Sequence, residues 1–154
     1  MRTFKTRHKV AHSAEDMFAL VADIERYPAF VPLCEALKVR SRTVKDGNTV
    51  LVADMTAAYK FFRETFTSRV TLDPDHQTIL VEYLSGPFKH LENRWRFAPL
   101  GEGASEIDFY LEYEFRSRTL QTLMGAMFDA AFSRFAEAFE KRADVVYGKR
   151  NALT

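Results

Sequence analysis

From Thr119 to Tyr147 the chain reads as one long helix whose apolar face is so wide that another layer must cover it. Leu120, Leu123, Met124, Met127, Phe128, Ala131, Phe132, Phe135, Phe139 and Val146 recur at helical spacing. At about 100° per residue they span roughly half the circumference. Thr122, Asp129, Ser133, Glu137, Glu140 and Asp144 keep to the other side. Such a helix extends on the order of 40 Å, enough to cross a small domain. It follows a long series of strand-like runs, so the expected arrangement is a helix clamped over the apolar face of a sheet. That arrangement makes either a solid core or an enclosed cavity.

The preceding residues supply the sheet. Thr3 to Val10 alternate as a strand, and Ser13 with Asp16 three residues on caps a short helix over Ala14 to Ala22. A second helical stretch begins at Asp23, is interrupted by Pro28 and stops at Pro32. From Glu35 the pattern is β, punctuated at Lys45-Asp46-Gly47-Asn48, Asp73-Pro74-Asp75, Ser85-Gly86-Pro87 and Pro99 to Gly103. Five or six strands joined by short turns make an antiparallel meander. The expected class is α+β: a curved antiparallel sheet around a long C-terminal helix, with two short helices after the first strand.

Composition narrows the function. The 154 residues carry a formal net charge of +1, so no global field recruits DNA or an anionic surface. Basic residues near both ends (Arg2, Lys5, Arg7, Lys9; Lys141, Arg142, Lys149, Arg150) read as solvated surface. The single Cys34 leaves no internal disulfide, and no apolar run reaches the ~20 residues of a membrane span. The N-terminus has no signal-peptide core. These features describe a cytoplasmic chain. Fourteen Phe residues are the anomaly, because Phe supplies apolar area without a polar handle.

Reactive chemistry is sparse. His8, His12, His76 and His90 show no metal-ligand spacing, and neither a nucleophile elbow nor a phosphate-cradling glycine loop is present. Cys34 reads as a small buried residue, and Glu112 and Glu114 lie on the polar face of their strand. Glu64 shares the parity of Phe62, Phe66, Val70 and Leu72, so it either points inward, lies at an edge, or is displaced by a bulge. Asp54 poses the same question. The expectation is a protein that binds without catalysis and without a metal or catalytic cofactor.

Two strings, Asp23-Ile24-Glu25-Arg26-Tyr27-Pro28-Ala29-Phe30-Val31-Pro32-Leu33-Cys34 and Gly86-Pro87-Phe88-Lys89-His90-Leu91-Glu92-Asn93-Arg94-Trp95-Arg96-Phe97, resemble signatures of the START-like coenzyme Q-binding proteins. Glu64 to Val70 and the terminal helix extend the resemblance over essentially the whole chain. It implies a helix-grip fold, one domain over residues 1–154 with a flexible tail from about 148, and a tunnel that holds ubiquinone in the respiratory branch. The same family includes bacterial ribosome-association toxins directed at the large ribosomal subunit. Phe66 to Val70 and Phe30-Val31-Pro32 lean toward the respiratory branch, whereas Leu33 and Asn93-Arg94 depart from it.

Alternation supplies the tunnel walls. Leu91, Asn93, Trp95 and Phe97 share one strand face, as do Ile107, Phe109, Leu111, Tyr113 and Phe115. The expected lining is Leu123, Met127, Phe128, Ala131 and Phe135 from the helix and Phe66, Leu91, Trp95, Phe97, Phe109 and Leu111 from the sheet. Phe30 and Leu33, in the turn from Tyr27 to Cys34, stand at the mouth. The implied partner is a hydrophobic ubiquinone-like ligand, with transient contact at the inner membrane. The alternative role predicts a basic face from Lys5, Arg7, Lys9, Lys38, Arg40 and Arg42. A third, a cavity enzyme on the same fold, would require Glu64 or Asp54 to act as acid or base.

Overall fold

The computed structural model describes residues 1–148. The expected flexible tail lies, from residue 149 onward, outside the described residues.

Seven antiparallel strands form one sheet: β1 (Arg2–Val10), β2 (Cys34–Lys45), β3 (Asn48–Tyr59), β4 (Phe62–Asp73), β5 (Thr78–Ser85), β6 (Phe88–Pro99) and β7 (Ser105–Phe115). Their spatial order is β1-β7-β6-β5-β4-β3-β2, a meander closed at one side by the first strand. Register shifts in β2, between β4 and β5, and at the start of β6 bend the sheet. The clearest alternation is in β7, where Ile107, Phe109, Leu111, Tyr113 and Phe115 are buried and the residues between them are half-buried.

All four expected turns occur. A fifth, between Tyr59 and Phe62, had no Gly, Pro or Asn to announce it; Lys60 takes the left-handed conformation there (φ 53°). At Gly86 (φ 143°) an added Cβ would lie 2.6 Å from the Phe66 Cβ, so only glycine lets β5 pass into β6 at that approach.

Helix α1 (Ala14–Ala22) begins where Ser13 accepts the Asp16 N–H at 3.1 Å, and it buries Ala14, Met17, Leu20 and Val21. The next stretch is a 3₁₀ helix over Ile24–Ala29 with Pro28 inside it, so this proline does not interrupt the turn as expected.

The long terminal helix is two helices, α2 (Arg118–Phe132) and α3 (Phe135–Tyr147). The break has a local cause. Ser133 turns its hydroxyl back onto the Ala130 carbonyl at 2.8 Å, and Arg134 adopts φ −104°, ψ 0°. Phe132 and Phe135 on either side meet edge to face at 5.2 Å, and both pack on the sheet's inner face. α3 is fastened to the first strand region by His8–Glu140 and His12–Asp144, each at 2.7 Å. None of the described helices is long and apolar enough to cross a membrane.

Candidate functional site: an apolar cavity between sheet and helices

The aromatic residues collect between the inner face of the sheet and the two terminal helices. Phe88 touches Phe66 (5.4 Å), Tyr83 (5.7 Å) and Phe115 (4.8 Å) between ring centres. Trp95 meets Phe109 at 4.8 Å and Phe139 at 5.0 Å. A cavity of about 100 Å³ remains among these groups.

Of the expected lining, Leu33, Phe66, Leu91, Trp95, Leu111, Phe128 and Phe135 border this space. The others do not. Phe97 is buried against Phe18 of α1, and Phe109 is held between Trp95 and Phe135 behind the wall. Phe30 packs on Tyr27 and Phe139, with the Arg142 guanidinium over its ring, and borders an outer groove beside the turn. Met127 is half-buried against the core, and Ala131 is buried on α2 without reaching the space.

Leu123 is a correction: it is 60% exposed. On a helix of 3.6 residues per turn it lies about 140° from Phe128, beyond the arc the sheet can cover. Spacing alone had overstated that arc. Reading the sequence places Tyr27 and Cys34 only in the turn at the mouth and misses Met55, Phe88, Phe132 and Phe139 as lining. Phe88 and Phe139 carried a signal, one inside the Gly-Pro-Phe string and the other on the apolar stripe. Met55 carried a weaker one, its alternation with Asp54 and Thr56 on β3.

No Asp, Glu, Lys, Arg or His is among the lining residues. Their polar atoms are mostly occupied. The Trp95 Nε1–H donates to Asn93 Oδ1 at 2.7 Å, and Asn93 Nδ2 donates to the Tyr110 carbonyl at 2.9 Å. The Tyr27 hydroxyl donates to the Val21 carbonyl, and burial raises its pKa above the ordinary tyrosine range. Burial pushes the Cys34 thiol up to about 11, so it remains protonated near neutral pH. The space therefore offers dispersion and apolar burial, with Ser68, Cys34 and Asn93 as isolated polar points.

The two carboxylates in question lie elsewhere. Glu64 is exposed, on the stretch of β4 that extends beyond its pairing with β5. Asp54 faces outward, accepting from Thr67 Oγ1 and Arg40 Nε at 2.6 Å each. The Thr67 hydrogen bond, then Arg40, draws its pKa below the usual aspartate value.

The six basic residues do not form one face. Lys5, Arg7 and Lys9 lie on β1 and Lys38, Arg40 and Arg42 on β2, at opposite edges of the sheet. Arg7 pairs with Asp108, Arg40 with Asp54 and Arg42 with Glu25.

Comparison with known proteins agrees with this architecture. Residues 10–140 match the family described as polyketide cyclase / dehydrase and lipid transport. The chain is 35% identical over 141 residues to the "Ribosome association toxin RatA" of Escherichia coli K12, covering 92% of this chain and 86% of that protein. It is 34% identical over 141 residues to the Xenopus laevis "Coenzyme Q-binding protein COQ10 homolog B, mitochondrial", covering 90% of this chain and 56% of that protein. Overall identity thus favours neither branch, despite the respiratory leaning of the two short strings. A START superfamily protein from Mycobacterium smegmatis superposes with a TM-score of 0.78 at 21% identity, over 94% of this chain and 98% of that one, which shows the shared fold. The helix-grip architecture and the match across most of its length establish that the chain belongs to the polyketide cyclase/dehydrase and lipid transport family, whose START-like members it resembled from sequence.

Proposed function

We propose that the protein binds ubiquinone or a related polyprenyl lipid between the sheet and helices α2 and α3, as a non-catalytic carrier for respiration or quinone synthesis. The observation carrying this reading is the lining itself: apolar and aromatic side chains, isolated polar atoms, and no charged residue. Burying apolar area contributes about 25 cal/mol per Å², so such walls hold an isoprenoid tail without specific polar contacts. The family's description as lipid transport and the relative named for coenzyme Q binding support it.

Size adds a requirement. Pockets for ligands of drug size or larger run from about 300 Å³ upward. A space of about 100 Å³ must therefore widen to admit a quinone with its tail. The break at Ser133 and Arg134 divides the layer over the sheet into α2 and α3, and the carrier reading requires one or both to shift.

The test is to purify the protein from respiring cells, extract it with organic solvent and identify the lipid by mass spectrometry. Near-stoichiometric quinone, lost in folded Leu91→Glu or Phe128→Glu, supports the reading. A protein that carries none and refuses added quinone refutes it.

The relatives named as ribosome association toxins, together with one surface feature, support a second reading. Lys5, Arg7, Arg94 and Arg96 border a groove on the outer face of the sheet, where Arg94 lies 4.2 Å over the Tyr110 ring. Cosedimentation with large ribosomal subunits that weakens with salt would favour it.

A further inference from the structure

Helix α2 breaks the usual rule for a surface helix, whose solvent side carries charge. Beyond Arg118 at its start, its exposed positions Thr119, Thr122, Leu123, Ala126 and Ala130 repeat at helical spacing, and none is charged. Between Arg118 and Phe132 the only other charged residue, Asp129, is engaged by Arg2 and by the Tyr113 hydroxyl. α3, by contrast, exposes Glu137 and Lys141.

The hairpin tip beside α2 is equally unusual. Phe61 is 84% exposed and Tyr59 43% exposed, around a non-glycine residue in the left-handed region, Lys60. The residue after Phe61, Phe62, turns inward and meets Phe128 on the buried side of α2 edge to face at 5.5 Å, which anchors the hairpin to that helix. The tip is also joined to the cavity turn, since the Ala58 N–H donates to the Leu33 carbonyl at 3.0 Å.

The charges around these apolar groups are mostly positive. Arg116 and Arg118 stand at the start of α2, Arg134 at its end and Lys60 on the hairpin, all exposed. Of the nearby acids, Glu35 is paired with Arg63 at 2.8 Å and Glu64 stands exposed on β4.

We propose that the outer face of α2 and the Phe61 hairpin form a docking surface for an anionic lipid bilayer. Phe61 and Leu123 enter the headgroup–acyl boundary, and the surrounding arginines and Lys60 meet anionic headgroups. An uncharged strip bounded by cations is what an interfacial helix needs. Its biological use rests on the carrier reading: α2 also supplies Phe128 and Phe132 to the cavity, so the element that docks is one of the two that cover it.

The test is flotation of the whole protein with phosphatidylcholine vesicles, with and without phosphatidylglycerol. The wild type floats with the anionic vesicles and less so at high salt. Phe61→Ser and Leu123→Gln each weaken partitioning by about tenfold while far-UV circular dichroism and the urea midpoint stay unchanged. A wild type that ignores both vesicle types, or variants that float undiminished, overturns the proposal. So does a concentration-dependent dimer, or ribosome pelleting, that Leu123→Gln abolishes when no vesicle binding is seen. Quinone retention in the same preparations separates the two ideas. Docking without quinone leaves this surface standing and sinks the carrier reading; quinone without docking does the reverse.

Discussion

Trp95 donates its indole N–H to Asn93 Oδ1 at 2.7 Å, two residues away on the same face of β6, and both side chains border the cavity. This pairing resolves the cost of placing two polar groups in an apolar wall. It also makes Trp95 a reporter, buried and in edge contact with Phe139 of α3.

A short-chain ubiquinone titrated into the protein is therefore expected to quench Trp95 fluorescence and to saturate. Because Trp95 is the only tryptophan, the signal is unambiguous. Unchanged emission alongside retained quinone in a spin filter would place the ligand elsewhere.

Gly86→Ala should destabilise the protein by about 2 kcal/mol or more, because the new methyl meets the Phe66 Cβ and backbone and φ is positive. Urea unfolding measures this. A loss under about 0.5 kcal/mol would mean that β4 moves aside freely.

Stability should fall as pH rises from about 9 towards 11. Burial raises the folded-state pKa of Cys34 from 9.0 to about 11, so its contribution is full below 9 and disappears through that window. Tyr27, raised by the same cause, adds to the slope. Comparing Cys34→Ala with the wild type isolates the thiol, and identical slopes in the two proteins would contradict its burial.

Glu64→Gln and Asp54→Asn should leave quinone binding unchanged, since one side chain is exposed and the other lies on the outer face. Asp54 differs in acid. Its carboxyl, held by Thr67 and Arg40, contributes stability above its ordinary pKa and loses it as pH falls through the depressed folded value. The effect is small at an outer-face pair. A tenfold loss of binding in either variant would return a carboxylate to the site.

Local chemistry made much of this molecule legible. Ser13 and its downstream acid marked α1, the turn residues of four hairpins marked the meander, and the period of two in β6 and β7 identified the inward side chains. The resemblance carried by Tyr27 to Cys34 and Gly86 to Phe97 pointed to the family. These signals work because capping, turn geometry and pleat act over a few residues.

What only the tertiary structure decided depends on distant partners. The helical stripe does not say how much of α2 the sheet covers, and so spacing points Leu123 inward while it faces solvent. The break at Ser133 puts Phe132 and Phe135 on separate helices, and only the packed structure shows both against the sheet. Glu64 keeps the parity of buried Phe62, yet it is exposed. The residue types determined which surfaces were apolar; strand lengths and register, set by pairing across the whole sheet, decided which of them water still reaches.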